Sequence, residues 1–258
     1  MKPMILTGIL ALAAGAAGLM AQAKQPAPKS PKELDAVKAL FAAAQASPDQ
    51  TIAAAESLIT GFADTDFKEI ALYFEARAYQ QKNDLVKAQV YGERVLEVNP
   101  KNYQTTLMLG EVIAQGVREN DLDKEEKLAK AEKYLTDTVE NLKTAAKPNP
   151  QMTDKDWDDA KQQMTAEAHS GMGLAALARK KFDVAANEFK TAADMDPQPA
   201  YLVREASALQ SSGKNDEAIA MCDKVLADAQ LHPAIKQVAQ SVRAAAIKAG
   251  GKAGGAPK

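Results

Sequence analysis

The chain has 258 residues, of which 46% are hydrophobic and 26% charged, so it is long enough to bury a substantial core. Alanine dominates the apolar residues, aromatic residues make up only 5%, and no segment alternates apolar and polar residues as a half-buried strand does, which favours an all-α fold. The net charge of −2, with acidic and basic residues interspersed, argues against a nucleic-acid-binding protein.

Residues 1–23 have the pattern of a secretory signal peptide. Lys2 gives a positive start, residues 4–20 are apolar or small, and residues 21–23 (AQA) form a small-x-small cleavage pattern. A retained membrane anchor is the alternative, although this apolar run is short for a span of roughly 20 residues. No cysteine lies near the junction, which excludes a lipoprotein anchor. We predict an exported protein, periplasmic or secreted, with no stable membrane span after cleavage.

The two ends of the mature chain differ in composition from its middle. Residues 24–31 contain three prolines, which predicts an extended tether. Residues 249–258 are rich in glycine and alanine and lack an apolar face, which predicts a disordered tail. Residues 32–248 carry helical patterns separated by short polar turns.

Small residues recur at a fixed spacing within this middle part. Twelve residues separate two small residues in each of three segments, and twelve more lead to a proline in two of them. The pairs are Ala76 and Ala88, Gly173 and Ala185, and Ala206 and Ala218, and the prolines are Pro100 and Pro197. Small residues let two helices approach closely, and a proline ends the second helix.

This spacing resembles the tetratricopeptide repeat (TPR) family, in which each unit of about 34 residues is a helix–turn–helix. The resemblance implies an all-α fold of helix–turn–helix repeats stacked as a right-handed TPR solenoid. Gly92 and Cys222 depart from the family pattern, because they stand where an aromatic residue is usual. The implied packing residues are Ala76, Tyr79, Ala88, Pro100, Gly110, Ala131, Gly173, Ala185, Phe189, Ala192, Pro197, Ala206 and Ala218.

The resemblance divides residues 32–248 into units of unequal regularity. They are a degenerate repeat 32–68, a repeat 69–102, an expanded repeat 103–150, a repeat 154–197, a repeat 199–233 and a capping helix 234–248. In the expanded repeat, Gly110 and Ala131 are 21 residues apart instead of 12, an insertion of 21 − 12 = 9 residues around 118–126. Longer helices and a longer turn both remain possible explanations.

No catalytic residue or metal site is predicted. His169 and His232 are far apart and have no ligand companion at helical spacing. The acidic residues between 154 and 159 lack the glycine and the glutamate that a calcium loop requires, and they suit a helix start better. Cys222 lies at a core position of its repeat, which favours a buried apolar role over a redox role. We therefore expect a protein that is not an enzyme and needs no cofactor.

The remaining functional feature is the concave surface that the first helices of such repeats line. The resemblance implies a partner-binding groove formed by Tyr73, Arg77, Gln80, Gln104, Met108, Glu111, Gln115, Ser170, Leu174, Val203 and Ser207. Only Arg77 fits the family's carboxylate-binding positions, so an internal peptide or a partner helix is favoured over a chain-terminal carboxylate. Helix–helix packing at the same positions is the alternative.

These observations predict a non-catalytic protein–protein interaction scaffold of the bacterial periplasm or envelope. It would bind a protein or peptide of unknown identity, and not nucleic acid. The alternative is an envelope assembly or chaperone component that holds unfolded or outer-membrane client proteins. The oligomeric state remains open.

Overall fold

The computed structural model describes residues 26–149 and 151–252, so the predicted signal segment 1–23 and the tail beyond residue 252 lie outside the described residues. Within those two ranges all regular secondary structure is helical, which confirms the all-α prediction. The helices are α1 (Pro31–Ala44), α2 (Pro48–Gly61), α3 (Lys68–Gln81), α4 (Leu85–Val98), α5 (Tyr103–Gly116), α6 (Lys124–Thr144), α7 (Asp154–Ala178), α8 (Phe182–Met195), α9 (Pro199–Ser211), α10 (Asn215–Leu226) and α11 (Pro233–Lys248).

The helices form consecutive antiparallel pairs, and each helix packs against the next one in the chain. The pairs are α1–α2, α3–α4, α5–α6, α7–α8 and α9–α10, and α11 covers the last pair by packing on α9 and α10. We call α3, α5, α7 and α9 the first helices and α4, α6, α8 and α10 the second helices. Apart from Pro100 and Pro197, which are exposed, every predicted packing residue is buried.

The small residues lie where two helices of a pair approach each other closely. A Cβ atom added to Gly173 of α7 would lie 2.6 Å from Cε1 of Phe189 in α8. A Cβ atom on Gly110 of α5 would collide in the same way with Leu135 of α6. The regular spacing of glycine and alanine therefore follows from contact between helices, because a larger side chain would push the pair apart.

Three of the turns within helix pairs share one backbone conformation. Asn83, Lys180 and Gly213 have positive φ angles of 58°, 59° and 85°. After Asn83, the N–H of Asp84 donates to the Tyr79 carbonyl over 2.9 Å, and the other two turns repeat this bond. This is the hydrogen bond of a Schellman motif, which ends the first helix and reverses the chain toward the second.

The extra residues of the expanded repeat lengthen both the turn and the second helix. The connection between α5 and α6 runs from residue 117 to residue 123, and α6 has 21 residues where α4 has 14. Three ion pairs tie this region to the following helix pair, and one of them joins Lys180 to Glu119 at 2.9 Å. Arg179 at the end of α7 pairs with Glu125 at 2.7 Å and also with Glu132.

Both ends of the described chain are held more firmly than the sequence predicts. The composition predicts a tether over residues 24–31, but Lys29 pairs with Asp64 at 3.1 Å and Pro31 already belongs to α1. At the other end, the N–H of Lys252 donates to Asp216 over 2.6 Å. Residues 249–252 of the predicted disordered tail therefore lie against α10, because a glycine at 251 lets the backbone approach it closely.

Candidate functional site

A recess of about 400 Å³ lies where the four first helices converge on the concave side of the stack. We call it the concave recess. Its charged lining comes from Arg77 of α3, Glu111 of α5, Glu167 of α7 and Arg204 of α9. Tyr201, together with Gln198 and Ala200, completes the wall at the start of α9. One surface therefore gathers side chains from four successive helix pairs.

Neutral neighbours hold the two arginines in place. The guanidinium of Arg204 donates to Oγ of Ser170 on α7 over 2.5 Å, and Ser170 is buried. The guanidinium of Arg77 donates to Oε1 of Gln80, one turn later in α3, over 2.8 Å. Among the described residues, no ion pair within 4.0 Å involves Arg77, Arg204 or either recess glutamate. The remaining guanidinium N–H groups stay available to a ligand.

Burial weakens the acidity of the two carboxyl groups in the concave recess. Burial, together with the charge of the nearby Glu167, raises the pKa of Glu111 to about 7, although Arg204 and Arg77 oppose the shift. Burial also raises the pKa of Glu167, although Arg77 opposes the shift. Near neutral pH the Glu111 carboxyl group therefore exists in both protonation states and can donate or accept a hydrogen bond.

Two tyrosines add neutral donors to the same region. Burial and the Glu167 carboxylate raise the pKa of Tyr201 to about 12. Burial likewise raises the pKa of Tyr73 on α3, against the opposing effect of Arg77. Both hydroxyls therefore keep their protons at physiological pH. Together with the two arginines, Tyr201 gives the lining of the recess its hydrogen-bond donors.

Only part of the predicted groove is assembled at this surface. Arg77 and Glu111 line the concave recess itself. The other predicted residues that keep partial or full solvent exposure are Tyr73, Gln80, Gln104, Gln115, Leu174 and Ser207.

Four predicted groove residues are placed differently by the structure. Met108 and Val203 are only 2% and 5% exposed and belong to core clusters, so they hold helices together. Ser170 is buried beneath Arg204, and Leu174 packs between α5 and the α8 side of the stack. Each side chain lies on the flank of its helix that faces a neighbouring helix.

Sequence reasoning missed Glu167, Tyr201 and Arg204. One signal could have found Glu167, because it precedes the small residue Gly173 by six positions, as Gln104 precedes Gly110. No comparable signal marks Arg204. It lies two positions before the small residue Ala206, and Met108, which lies two positions before Gly110, is buried instead of facing the recess. Whether the position six residues or the position two residues before the small residue faces the concave side depends on how each helix is rotated about its own axis.

The surroundings of the remaining candidate residues, Cys222, His169 and His232, indicate structural roles. Cys222 is fully buried, and burial raises the pKa of its thiol to about 11. His169 lies half-buried with its Nδ1 atom 2.7 Å from Glu188, and His232 caps the start of α11. In the described ranges, no group of three acidic, histidine or cysteine side chains is arranged to hold a metal ion. No helix there combines the length and apolar character needed to cross a membrane.

No family model matches the sequence, and no curated protein matches it either. Solved structures do match the fold. The thermophilic TPR protein TTC0263 of Thermus thermophilus superposes with a TM-score of 0.55 at 19% identity, covering 81% of this chain and 98% of that one. MamA MSR-1 C2 superposes with a TM-score of 0.54 at 16% identity, covering 76% of this chain and 95% of that one. The fold is therefore that of a TPR solenoid, as the sequence predicted.

Proposed function

We propose that this chain is a non-catalytic protein–protein interaction scaffold whose concave recess binds a peptide segment or helix of a partner protein. The observation that carries this proposal is the convergence of four first helices on one recess that holds Arg77, Glu111, Glu167 and Arg204. In a charge cluster with a purely structural role, the arginines would form ion pairs with the glutamates of the cluster. Here the arginines are held by neutral groups instead. The charged groups are thus oriented and still available to a ligand.

The chemistry of the recess suits a polypeptide ligand. A peptide backbone presents a carbonyl acceptor and an N–H donor at almost every residue. The guanidinium and phenol groups donate to carbonyls, and the carboxyl groups of Glu111 and Glu167 accept from N–H groups. The walls are polar, with Tyr201 as the large apolar contribution. This composition favours a defined partner over unfolded client proteins, which need an extended apolar surface.

The proposed location is the bacterial periplasm or envelope. It rests on the signal-peptide pattern of residues 1–23, with its positive start, apolar run and small-x-small end. The alternative role, an envelope assembly or chaperone component, shares this location. The two roles differ in how many kinds of partner the concave recess should contact.

Site-specific photo-crosslinking tests the proposal in the cells that produce the protein. A photoreactive residue replaces Tyr73 on the concave side, and a matched control replaces Val184, an exposed valine on α8. We expect one major crosslinked product from position 73 and none from position 184. In an Arg204→Ala, Glu167→Gln background the product should fall at least tenfold.

Other outcomes decide against the scaffold proposal. A ladder of many products from position 73 supports the chaperone role. Equal products from positions 73 and 184 contradict binding at the concave recess. A product that persists unchanged when Arg204 and Glu167 are replaced also contradicts it.

A further inference from the structure

The two arginines of the concave recess have hydrogen-bond donors that the protein itself does not use. A guanidinium carries five N–H groups. Within the described part of the chain, only the Nη1 atom of Arg77 has an acceptor, which is the uncharged side chain of Gln80. The same holds for Arg204, whose Nη1 atom donates to the hydroxyl of Ser170. Most of the donors on these two cations are therefore left for a ligand.

The carboxyl groups of the same recess do not fully neutralise these cations. Arginine keeps its charge throughout the physiological pH range, so Arg77 and Arg204 contribute two positive charges. The pKa of Glu111 is about 7, mainly because of burial, so its carboxyl group is neutral in a large fraction of molecules near neutral pH. With Glu111 protonated and Glu167 ionised, the charge of the recess is +2 − 1 = +1. The recess therefore carries an excess of positive charge.

This charge distribution selects among the side chains that a partner protein can present. A lysine or arginine would meet two fixed cations, and a neutral side chain would leave both of them without a counter-charge. A carboxylate can accept two parallel hydrogen bonds from a guanidinium, which is a strong and geometrically specific arrangement. The recess volume of about 400 Å³ lies within the range of about 300–1,000 Å³ that is usual for small-ligand sites. It therefore suits a few side chains of a short segment.

We propose that the concave recess receives an aspartate or glutamate side chain from an internal segment of the partner, bound between Arg77 and Arg204, and that Glu111 takes up a proton as it binds. This inference rests on the function proposed above and specifies the ligand of the same site. Arg77 belongs to α3 and Arg204 to α9, so the bound carboxylate joins the first and the last of the four first helices.

The proton uptake follows from the surroundings of Glu111 on α5. The charges that act on its carboxyl group belong to Glu167 of α7, Arg204 of α9 and Arg77 of α3. The other helices packed on α5 are α4 and α6, and no charge on their described residues shifts this group. A carboxylate between the arginines adds a negative charge near Glu111 and offsets the positive charges that oppose protonation. The pKa of Glu111 is therefore higher in the complex than in the free protein.

The sign of the pH dependence follows from this difference. Since the complex holds the proton more tightly than the free protein, the affinity is highest at low pH and falls as the pH rises through about 7. A rise of about one pH unit in the pKa of Glu111 weakens binding about fivefold between about pH 6 and about pH 8. The ligand carboxylate stays ionised over this range, because its ordinary pKa is about 4.

Fluorescence anisotropy with three dye-labelled tetrapeptides, blocked at both ends, tests the identity of the ligand. Their four residues are all glutamate, all glutamine or all lysine, and each peptide is titrated with the purified full chain at about pH 6. We expect the glutamate peptide to bind at least tenfold more tightly than the glutamine peptide, and the lysine peptide not to bind. Arg77→Gln should weaken the glutamate peptide at least tenfold. Arg118→Gln is the matched control, since Arg118 is an exposed arginine outside the recess, and it should leave binding unchanged.

The same titration at about pH 6 and about pH 8 tests the role of Glu111. The wild-type protein should bind the glutamate peptide about fivefold more weakly at the higher pH. Glu111→Gln is neutral at both pH values, so it should bind equally well at both. Glu97→Gln, which replaces an exposed glutamate on α4, is the control and should keep the wild-type pH dependence.

Several results would overturn the inference. A glutamate peptide that does not bind at millimolar concentration, or that binds no better than the glutamine peptide, contradicts an acidic ligand. Tighter binding of a tetra-alanine peptide with a free C-terminal carboxylate contradicts an internal segment. A wild-type affinity that does not change with pH, or a change that persists in Glu111→Gln, contradicts proton uptake by this residue. When these tests fail and position 73 still gives its single crosslinked product, the proposed function stands and only the ligand is wrong.

Discussion

Replacing the buried Glu75 by glutamine should make the protein more stable at alkaline pH. Glu75 of α3 is 1% exposed, and its Oε1 atom has no hydrogen-bond partner among the described residues. Burial raises the pKa of this carboxyl group to about 7, and Glu56 adds repulsion. A hydrogen bond with Tyr91 and the charge of Arg94 oppose the shift without cancelling it. The folded protein therefore favours the protonated, neutral form.

The sign of the effect follows from the two pKa values. The ordinary value is 4.5 and the folded value is about 7, so the folded state binds the proton more tightly than the unfolded state. The stability that this proton contributes is complete below about pH 4.5 and is lost as the pH rises through about 7. The two pKa values differ by about 2.5, which at about 1.36 kcal/mol per pH unit is a loss of roughly 3 kcal/mol by pH 8. Glutamine stays neutral and avoids this loss.

Urea unfolding followed by circular dichroism measures the effect. The wild-type protein, Glu75→Gln and the control Glu97→Gln are unfolded at several pH values from about 5 to about 8, which span the folded pKa. Glu97 is an exposed glutamate on the neighbouring helix α4. The advantage of Glu75→Gln over the wild type should grow by roughly 2–3 kcal/mol across this range, and Glu97→Gln should show no such trend. An advantage that stays constant with pH would refute the reasoning, because Glu75 would then titrate as an ordinary carboxyl group.

Three further predictions concern packing and backbone conformation. Gly173→Ala should destabilise the protein by about 1–3 kcal/mol in thermal unfolding, because the new Cβ atom would meet the ring of Phe189. Gly61→Ala is the matched control at an open helical position, and it should be neutral or stabilising by up to about 1 kcal/mol. Gly213→Ala should lower the free energy of unfolding by about 1 kcal/mol in the same assay, because the backbone φ of 85° at this position disfavours a side chain. An unchanged melting temperature would argue against a left-handed turn. Cys222 should react with a thiol reagent only after unfolding, and rapid labelling of the native protein would contradict its burial.

The spacing of small residues was enough to predict the helix pairs. Ala88, Gly173 and Ala185 are buried, and a Cβ atom added to Gly173 would meet the ring of Phe189. The same logic left the expanded repeat ambiguous, since an insertion can lengthen a helix or a turn without changing the apolar pattern. The structure shows that both are longer.

The candidate site was less predictable than the fold. Arg77 and Glu111 were found because each directly follows a small packing residue, and that position faces the concave side in α3 and α5. Val203 was wrongly expected there, and Arg204, the next residue, lines the recess instead. A rotation of one helix by one residue changes which side chain is exposed. That rotation depends on packing between neighbouring pairs, which no local pattern in the sequence reports.

The convergence of first helices has a mechanical consequence. Arg77 and Arg204 belong to helix pairs that are separated by two further pairs, so they line one recess only while the stack stays curved. Tension between the two ends of the solenoid would straighten it and move these residues apart before any single pair lost its core, since each pair is held mainly by its neighbours. A ligand bound in the recess must by reciprocity resist that straightening. If the recess binds a ligand as proposed, the stiffness of the solenoid should depend on occupancy, and pulling on its ends should release the ligand.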